Sequence, residues 1–381
     1  MPRERPSHRL LYIDNLRWSA ISMVVIMHAA VTYSPFGEWY YREHPELSIG
    51  AKIAFAAYQS FQHAVAMGLL FGIAGFFAAG AVARKGVGGF IRERVRRLGL
   101  PLLIYMTLIG PLTEYFVAGS WRSNPPRTFI EDWWLHLSSG ELLDGSGPLW
   151  FCLVLLLFSA AYAVLYQVRP VQFVPRQPPS AYAVLGYATL IATVTFAAGV
   201  TFPNATTVLN IDVHDFPQYP LMYAAGIAAW KGDWLRRIPS RVGRLWLWGG
   251  VVAGGALWIV LVAAGGAMTG DVSPYGGGWH WQAAGMDVWR SFTCLALSLG
   301  SIVLYRDRFD SQGPVARFLT RNAFGVYVLH APILVAITRL LHFVPASIGL
   351  KFALASLGGI LASFLLVGFV ARRTPGLRAV L

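Results

Sequence analysis

The residues most able to do chemistry are an arginine and a histidine within one apolar run, Arg17 to Thr32, RWSAISMVVIMHAAVT. Charged and titratable side chains are costly in hydrocarbon, so Arg17 and His28 on one candidate membrane helix indicate function. Their spacing is three helical turns plus about 20°, which predicts one shared face and about 16 Å between them along the axis. A cation can hold an anionic ligand, and an imidazole can take a proton from a hydroxyl. The alternative is a histidine that only hydrogen-bonds a neighbouring helix.

The composition predicts a polytopic membrane protein. Of 381 residues, 56% are hydrophobic and only 13% are charged, and the mean hydropathy is +0.52. The 14 Trp, 16 Tyr and 23 Phe suit the aromatic belts of membrane interfaces. The net charge of +13 comes from short arginine clusters between apolar runs, which is typical of cytoplasmic loops and argues against nucleic-acid binding. Cys152 and Cys294 both lie in apolar runs, so neither a disulfide framework nor a metal site is predicted.

Ten apolar segments are long enough to span a bilayer, which takes about 20 residues each. The predicted fold is therefore an all-α bundle of about ten transmembrane helices, within a single domain over residues 1–381. The first run is expected to be a retained span, because no small-residue cleavage site follows it. The second is long enough to be tilted, broken or re-entrant. The predicted spans are 16–35, 53–83, 98–118, 148–168, 181–201, 217–235, 245–267, 286–305, 322–341 and 348–370.

The distribution of lysine and arginine predicts that both termini are cytoplasmic. With that orientation, all but seven of the 31 positive residues fall in the inner segments 3–17, 84–97, 169–176, 231–244, 306–321 and 372–378. The outer loops 202–216 and 268–285 contain no lysine or arginine. The last outer loop is the weak point, because Arg339 and Lys351 fall on the wrong side. The seven exceptions are Arg42, Lys52, Arg122, Arg127, Arg290, Arg339 and Lys351.

An arginine run precedes the third predicted span. Arg94 and Arg97 would share a face of a helix, and guanidinium groups bind phosphate in a bidentate manner. A helix beginning near Pro101 would add free N–H groups to an anion site. The plain alternative is a positively charged loop that only sets topology, which is the expected role of most arginines in this run. Arg92 and Arg96 are further possible contacts.

Two other histidines and three charged residues lie in or beside apolar runs. His63 follows a glutamine and precedes several glycines, and this pattern is equally consistent with a packing role and with a role in a functional site. His330, before Pro332, is a weaker candidate because it can simply hydrogen-bond across the bundle. Glu114 and Asp287 could each orient a histidine or pair with Arg290, but no spacing signal supports either.

The longest polar stretch, 119–147, is predicted to lie outside. Its Trp121, Trp133, Trp134 and His136 suit either stacking on a sugar or an interfacial aromatic belt. The sequence contains no P-loop, no GxSxG elbow, no zinc-ligand spacing and no GxGxxG, which argues against a serine hydrolase and an ATP-driven pump.

The order of these motifs resembles the acyltransferase-3 family of integral membrane enzymes, and within it the branch of periplasmic-glucan succinyltransferases. One departure is Pro148, where members of that branch often have a histidine. The motifs run from about residue 12 to residue 375. They are Tyr12-Ile-Asp14-Asn-Leu-Arg17 with His28, Gln62-His63 with Gly75-Phe76-Phe77, Arg94-x-x-Arg97-Leu-Gly-Leu-Pro101, Gly147-Pro148-Leu149-Trp150-Phe151, Asn322 to Pro332, and Arg372-Arg-Thr-Pro375.

The resemblance implies transfer of an acetyl, succinyl or similar group from cytoplasmic acyl-CoA to a hydroxyl of a carbohydrate or other acceptor, often on the outer side of the membrane in the cell envelope. It implies His28 as the catalytic base, with Arg17 as its partner. The expected partners are acyl-CoA as co-substrate, a glycan acceptor and the bilayer of the cytoplasmic membrane, without a permanently bound cofactor. The alternative is a proton-coupled transporter of an acyl or sugar substrate, although the chain's halves show no clear internal repeat. The predicted substrate contacts are Arg92, Arg94, Arg97, His63 and Trp150.

Overall fold

The computed structural model describes residues 9–43, 45–118, 127–168, 177–203 and 206–375. Within these ranges the chain is all-α apart from one short β-hairpin, as the sequence predicts. The predicted basic segment 169–176, Trp121, Arg122 and the basic residues 3, 5 and 378 lie outside the described residues. The elements are α1 Leu11–Thr32, α2 Ile49–Arg94, α3 Leu100–Ile104, α4 Gly110–Leu112, α5 Phe129–Ser138, α6 Trp150–Val168, α7 Ala181–Thr201, β1 Thr207–Val208, β2 Ile211–Asp212, α8 Gln218–Gly232, α9 Trp234–Arg237, α10 Ser240–Trp248, α11 Gly254–Ala264, α12 Trp281–Arg308, α13 Pro314–His342 and α14 Ile348–Phe369. Short 3₁₀ turns lie at Glu141–Leu143, Gly147–Leu149, Ala267–Thr269, Ser273–Tyr275 and Ala371–Arg373, and π-helical turns at Val95–Gly99, Tyr105–Ile109, Thr113–Ala118 and Gly249–Ala253.

Helix α1 lies in the interior of the bundle, where it packs chiefly against α13, α14 and α2. Its predicted boundaries, 16–35, differ from the observed Leu11–Thr32. The helix ends shortly before Pro35, because proline disfavours the helical conformation of the residue before it. Near the other end, the buried Asn15 amide donates hydrogen bonds to the carbonyls of Phe309 and Ser311, at 2.7 and 3.0 Å. These bonds fix the start of α1 to the connection between α12 and α13.

Helix α2 covers 46 residues, and its regular part before Gly86, residues 49–85, is about 55 Å long, which is more than the roughly 30 Å of a hydrocarbon core. The chain breaks helical geometry once, at Gly86, whose φ of 68° is readily adopted only by glycine. The predicted span 53–83, for which the sequence left a tilted, a broken and a re-entrant helix open, lies before this break and is one continuous helix. Earlier in α2, Gly72 lies against Gly226 of α8: a Cβ atom built on Gly226 would be 1.9 Å from the Gly72 carbonyl oxygen.

The helical path continues beyond α2 through π-helical turns that precede prolines. Pro101 and Pro111 cannot donate a backbone hydrogen bond, and each follows a widened turn, Val95–Gly99 or Tyr105–Ile109. Since the helix runs through Pro101 instead of beginning there, the expected free N–H groups of a helix start do not form, and that expectation is wrong.

The polar stretch that the sequence predicts to lie outside is partly helical, and its helix is hydrogen-bonded to this widened backbone. Helix α5 begins at a capping box between Thr128 and Glu131, and the hydrogen bonds from Thr128 hold the pKa of the exposed Glu131 carboxyl below its usual range. The Trp133 indole donates to the Thr107 carbonyl at 2.6 Å, and His136 Nε2 lies 3.0 Å from the Met106 carbonyl. Trp133 and His136 therefore have structural partners.

A short β-hairpin lies against the turn at Gly147–Leu149. Strands β1 and β2 pair antiparallel, with Thr207 opposite Asp212 and Val208 opposite Ile211. Leu209 and Asn210 both have positive φ, at 53° and 60°, as tight hairpin turns require. The Asn210 amide donates to the Gly147 carbonyl at 3.0 Å. This bond holds the hairpin against the turn that precedes α6.

Seven helical stretches of the described residues are long and apolar enough to cross a membrane, so the protein is a multi-pass membrane protein. One 69-residue stretch contains the predicted spans 53–83 and 98–118. The predicted spans 16–35 and 217–235 form α1 and α8 but are not among the seven, because α1 carries Asp14 and Arg17 and α8 has only 15 residues. The seven stretches are Ile49–Val117, Gly147–Val168, Ala181–Thr201, Ser240–Ala264, Trp281–Arg308, Pro314–His342 and Ile348–Arg373.

The two positive residues of the last predicted outer loop both have partners in the segment that follows α1. Lys351 Nζ lies 3.1 Å from a carboxylate oxygen of Glu43, and both side chains are buried. The Arg339 guanidinium lies 4.9 Å from the centre of the Tyr41 ring. The two cations that depart from the predicted distribution of positive charge are thus stabilised within the protein, Lys351 by an ion pair and Arg339 by a cation–π contact.

Candidate active site

Helix α1 carries both residues of the predicted pair. His28 lies half-buried near its end, and its ring stacks on Trp39 with 3.8 Å between centroids and 13° between planes. Its Nδ1 atom is buried without a hydrogen-bond partner in the described structure. Arg17 lies near the other end with 46% of its side chain exposed. The predicted helix over this pair is confirmed, and the two side chains lie near opposite ends of it.

Trp39 reaches His28 because the segment between α1 and α2 folds back over the end of α1. The Glu43 N–H donates to the Thr32 carbonyl at 2.9 Å, and the Gln59 amide donates to Ser34 Oγ at 2.6 Å. The indole Nε1 of Trp39 is itself buried without a partner. A tryptophan ring in this position covers one face of the imidazole and leaves an unused N–H donor beside it.

A second histidine, His330 of α13, lies beside the first. The two imidazole centroids are 5.3 Å apart with 23° between planes, and His330 is completely buried. Its Nδ1 lies 2.8 Å from the Tyr327 carbonyl, while its Nε2 is buried without a partner. The hydroxyl of Tyr327 donates to the carbonyl of Pro148, the position at which the sequence departs from the glucan branch.

The hydroxyls of Tyr40 and Tyr105 form a hydrogen bond of 2.9 Å next to this group of rings. Tyr40 also packs edge-on against Trp39, with 5.1 Å between centroids. Tyr105 is completely buried in the widened turn before Pro111. The group of side chains around His28 therefore comes from four separate parts of the chain, which are 39–40, 105, 148 and 327–330.

At the Arg17 end, four cations share two carboxylates. Asp14 lies 2.5 Å from Arg9 and 3.9 Å from Arg17, so it is chiefly paired with Arg9. The charges of Arg17, Arg94 and Arg97 lie within electrostatic range of one another and disfavour one another's positive charge. Glu93 is shared between Lys85 at 2.6 Å and Arg97 at 3.4 Å.

The excess of positive charge at this end suits an anionic ligand. No carboxylate of the described residues forms an ion pair with Arg94, which instead lies over the Phe90 ring at 5.1 Å. The side chain of Arg97 is 75% exposed, and Arg92 is also exposed. The structure thus brings together Arg17, Arg94 and Arg97, and leaves Arg92 on the surface beside them.

His63 belongs to a different cluster. Its Nε2 lies 2.5 Å from Asp215, which also pairs with Arg290 of α12. Asp287, on the same face of α12, lies 3.8 Å from Arg290 and 3.1 Å from His214. The two carboxylates and the arginine are largely buried, and 44% of the His63 side chain is exposed. Asp287 thus lies within ion-pair distance of both a histidine and Arg290, the two alternatives that the sequence left open for it.

The remaining candidate, Trp150, starts α6 within an aromatic cluster. Its ring lies 5.3 Å from Tyr219 and 6.3 Å from Phe71. The half-buried indole therefore packs on the core beside the turn that carries Pro148. Its role in substrate binding stays a prediction.

Sequence reasoning missed Trp39 and underrated His330. Trp39 lies in a connecting segment without periodicity, and only its aromatic type could have drawn attention to it. His330 carried one signal, a histidine within an apolar helix, but its proximity to His28 depends on how α13 packs against α1.

The long apolar helices define a multi-pass membrane protein. The family model described as an acyltransferase domain matches residues 10–372, so the chain belongs to the acyltransferase-3 family and is an acyltransferase. No curated protein and no solved structure matches the chain.

Proposed function

We propose that the protein transfers an acetyl, succinyl or similar acyl group from cytoplasmic acyl-CoA to a hydroxyl of a carbohydrate. The observation that supports this most directly is the arrangement along α1, where cations outnumber carboxylates near one end and His28 lies near the other. The separation of about 16 Å suits a donor that has a polyanionic head and a long flexible arm ending in the reactive thioester.

The phosphates of acyl-CoA bind to Arg94 and Arg97 in this proposal. Both guanidinium groups lie close to Arg17, and the two carboxylates nearby are shared with other cations. Binding of a polyanion removes the mutual repulsion of these arginines, and planar guanidinium groups match the geometry of phosphate. The pantetheine arm then runs along α1 towards His28.

His28 acts as the general base. It takes the proton of the acceptor hydroxyl as the oxygen attacks the thioester carbonyl, a C–O bond forms, and the C–S bond breaks. The proton then passes from His28 to the departing CoA sulfur, so no further reactant is consumed. The less favoured variant passes through an acyl-His28 intermediate.

We further propose ten spans in the cytoplasmic membrane, with both termini inside. The bias of lysine and arginine supports this topology, and the pairing of Lys351 with Glu43 accounts for an outer cation. The acceptor hydroxyl then meets His28 near the outer side. A carbohydrate of the cell envelope fits this geometry, although Pro148 separates the chain from the pattern of the glucan branch.

The experiment is a purified-protein assay in nanodiscs with acetyl-CoA and succinyl-CoA. Release of free CoA that depends on an added acceptor, with the acyl group recovered on that acceptor by mass spectrometry, supports the proposal. Candidate acceptors come from comparing surface glycans of cells with and without the protein. Acceptor uptake into sealed vesicles without CoA release would instead support the transporter alternative.

A further inference from the structure

The two ring nitrogens of His28 have different surroundings. Nδ1 is enclosed and has no hydrogen-bond partner among the described residues. Nε2 is not enclosed in this way, since His28 as a whole is only half-buried. A base that receives a proton from a substrate must present its lone pair on the accessible nitrogen. The enclosed nitrogen must then carry the ring hydrogen and needs an acceptor.

The state of His330 follows from its contacts. The Tyr327 carbonyl can only accept a hydrogen bond, so the hydrogen of the neutral His330 ring is on Nδ1, 2.8 Å away. Its Nε2 therefore carries a lone pair, and this atom is also buried without a partner. Neutral His330 is thus an acceptor at Nε2.

The two nitrogens without partners complement each other. The His28 and His330 rings have centroids 5.3 Å apart and planes within 23°, and Trp39 lies almost parallel to both. A buried donor or acceptor left without a partner is energetically unfavourable, so pairing these two atoms is favourable. Hydrogen bonds of catalytic groups in ligand-free enzymes are often long and tighten when substrate binds.

We propose that His330 is a positioning residue for His28, with its Nε2 lone pair accepting a hydrogen bond from His28 Nδ1–H. This inference rests on the proposed function of His28 as the base. The bond selects the tautomer that presents the Nε2 lone pair to the substrate hydroxyl, and it persists when His28 Nε2 takes the proton. His330 orients the base as the carboxylate does in a Ser-His-Asp triad. It stays neutral throughout and does not take the substrate proton.

The test reads the tautomer of His28 directly, without requiring activity. Protein labelled with ¹⁵N-histidine is studied by NMR in nanodiscs, and His28 signals are assigned by their loss in His28→Gln. We expect the Nδ1–H tautomer in the wild-type protein. His330→Phe keeps an aromatic ring but removes the acceptor, and should shift His28 to the Nε2–H tautomer. His330→Gln offers an amide oxygen as acceptor and should retain the wild-type tautomer.

Kinetics provide the second readout. His330→Phe should lower kcat about a hundredfold with an unchanged KM for the donor, and His330→Gln should recover most of the loss. A wild-type His28 in the Nε2–H form, or a tautomer unaffected by His330→Phe, would overturn the inference. The wild-type spectrum decides even if His330→Phe fails to fold. Wild-type turnover in His28→Gln would instead overturn the proposed function, whatever the spectra show.

Discussion

Replacement of Lys351 by methionine isolates a buried carboxylate beside the site. Lys351 Nζ lies 3.1 Å from Glu43, and the two side chains are 10% and 7% exposed. Glu43 closes the segment that carries Trp39, because its N–H donates to the Thr32 carbonyl. The pair therefore fixes the covering of His28 as well as the contact between this segment and α14.

The expected loss of stability follows from the burial of the Lys351–Glu43 pair. Removing one partner of a buried ion pair costs about 3–5 kcal/mol, because the other charge stays in a low-dielectric site. His342 lies 3.7 Å from Glu43 but is 58% exposed, so it compensates little. Lys351→Met and Glu43→Gln should each destabilise by about 3 kcal/mol, and the double variant should be more stable than either single variant. Glu38, 92% exposed in its pair with Arg42, provides the control: Glu38→Gln should change stability by less than about 0.5 kcal/mol.

The assay is thermal unfolding of the purified protein at one heating rate, since membrane proteins often unfold irreversibly. We expect the apparent Tm of the double variant to lie above those of both single variants. The single variants should also lose kcat, because Trp39 is no longer held over His28. An additive loss, in which the double variant falls by the sum of the single losses, would refute the reasoning.

Two further predictions concern the donor site and helix packing. Arg94→Gln and Arg97→Gln should each raise the apparent KM for acyl-CoA with little change in kcat, as measured by CoA release. The control is the exposed Arg241, whose change to Gln should leave this KM unchanged. Equal effects at all three positions would mean that Arg94 and Arg97 only set the topology. Gly226→Ala should lower the apparent Tm, with a cost of about 1–3 kcal/mol, because its Cβ would lie 1.9 Å from a backbone oxygen. Gly72→Ala is the matched control, since its Cβ would lie 3.6 Å from the nearest atom, and similar losses in both variants would contradict the packing argument.

Much of the fold was predictable because each span is a local property of the sequence. An apolar run of about 20 residues and the arginine bias between runs reveal helices one at a time. The widened turns before Pro101 and Pro111 were not predictable in form, although proline marks where a helix is perturbed. The kink in α2 likewise coincides with Gly86, but many glycines in this chain lie in regular helix.

The site divides in the same way. The apolar run predicts that Arg17 and His28 lie on one helix, and the period of 3.6 residues per turn relates their positions on it. The position of Trp39 beside His28 depends on a folded-back loop, and that of His330 depends on packing between α1 and α13. Neither arrangement is encoded in a local sequence pattern. The pairing of His63 with Asp215 is equally non-local, since 152 positions separate them.

The central claim is that His28 takes the hydroxyl proton during acyl transfer, and one measurement tests it most directly. Wild-type and His28→Gln proteins are compared in nanodiscs for binding of labelled acyl-CoA and for acceptor-dependent release of CoA. The account predicts unchanged donor binding, because the arginines at the other end of α1 are intact, together with loss of CoA release. A folded His28→Gln protein that binds the donor and releases CoA at the wild-type rate would contradict it.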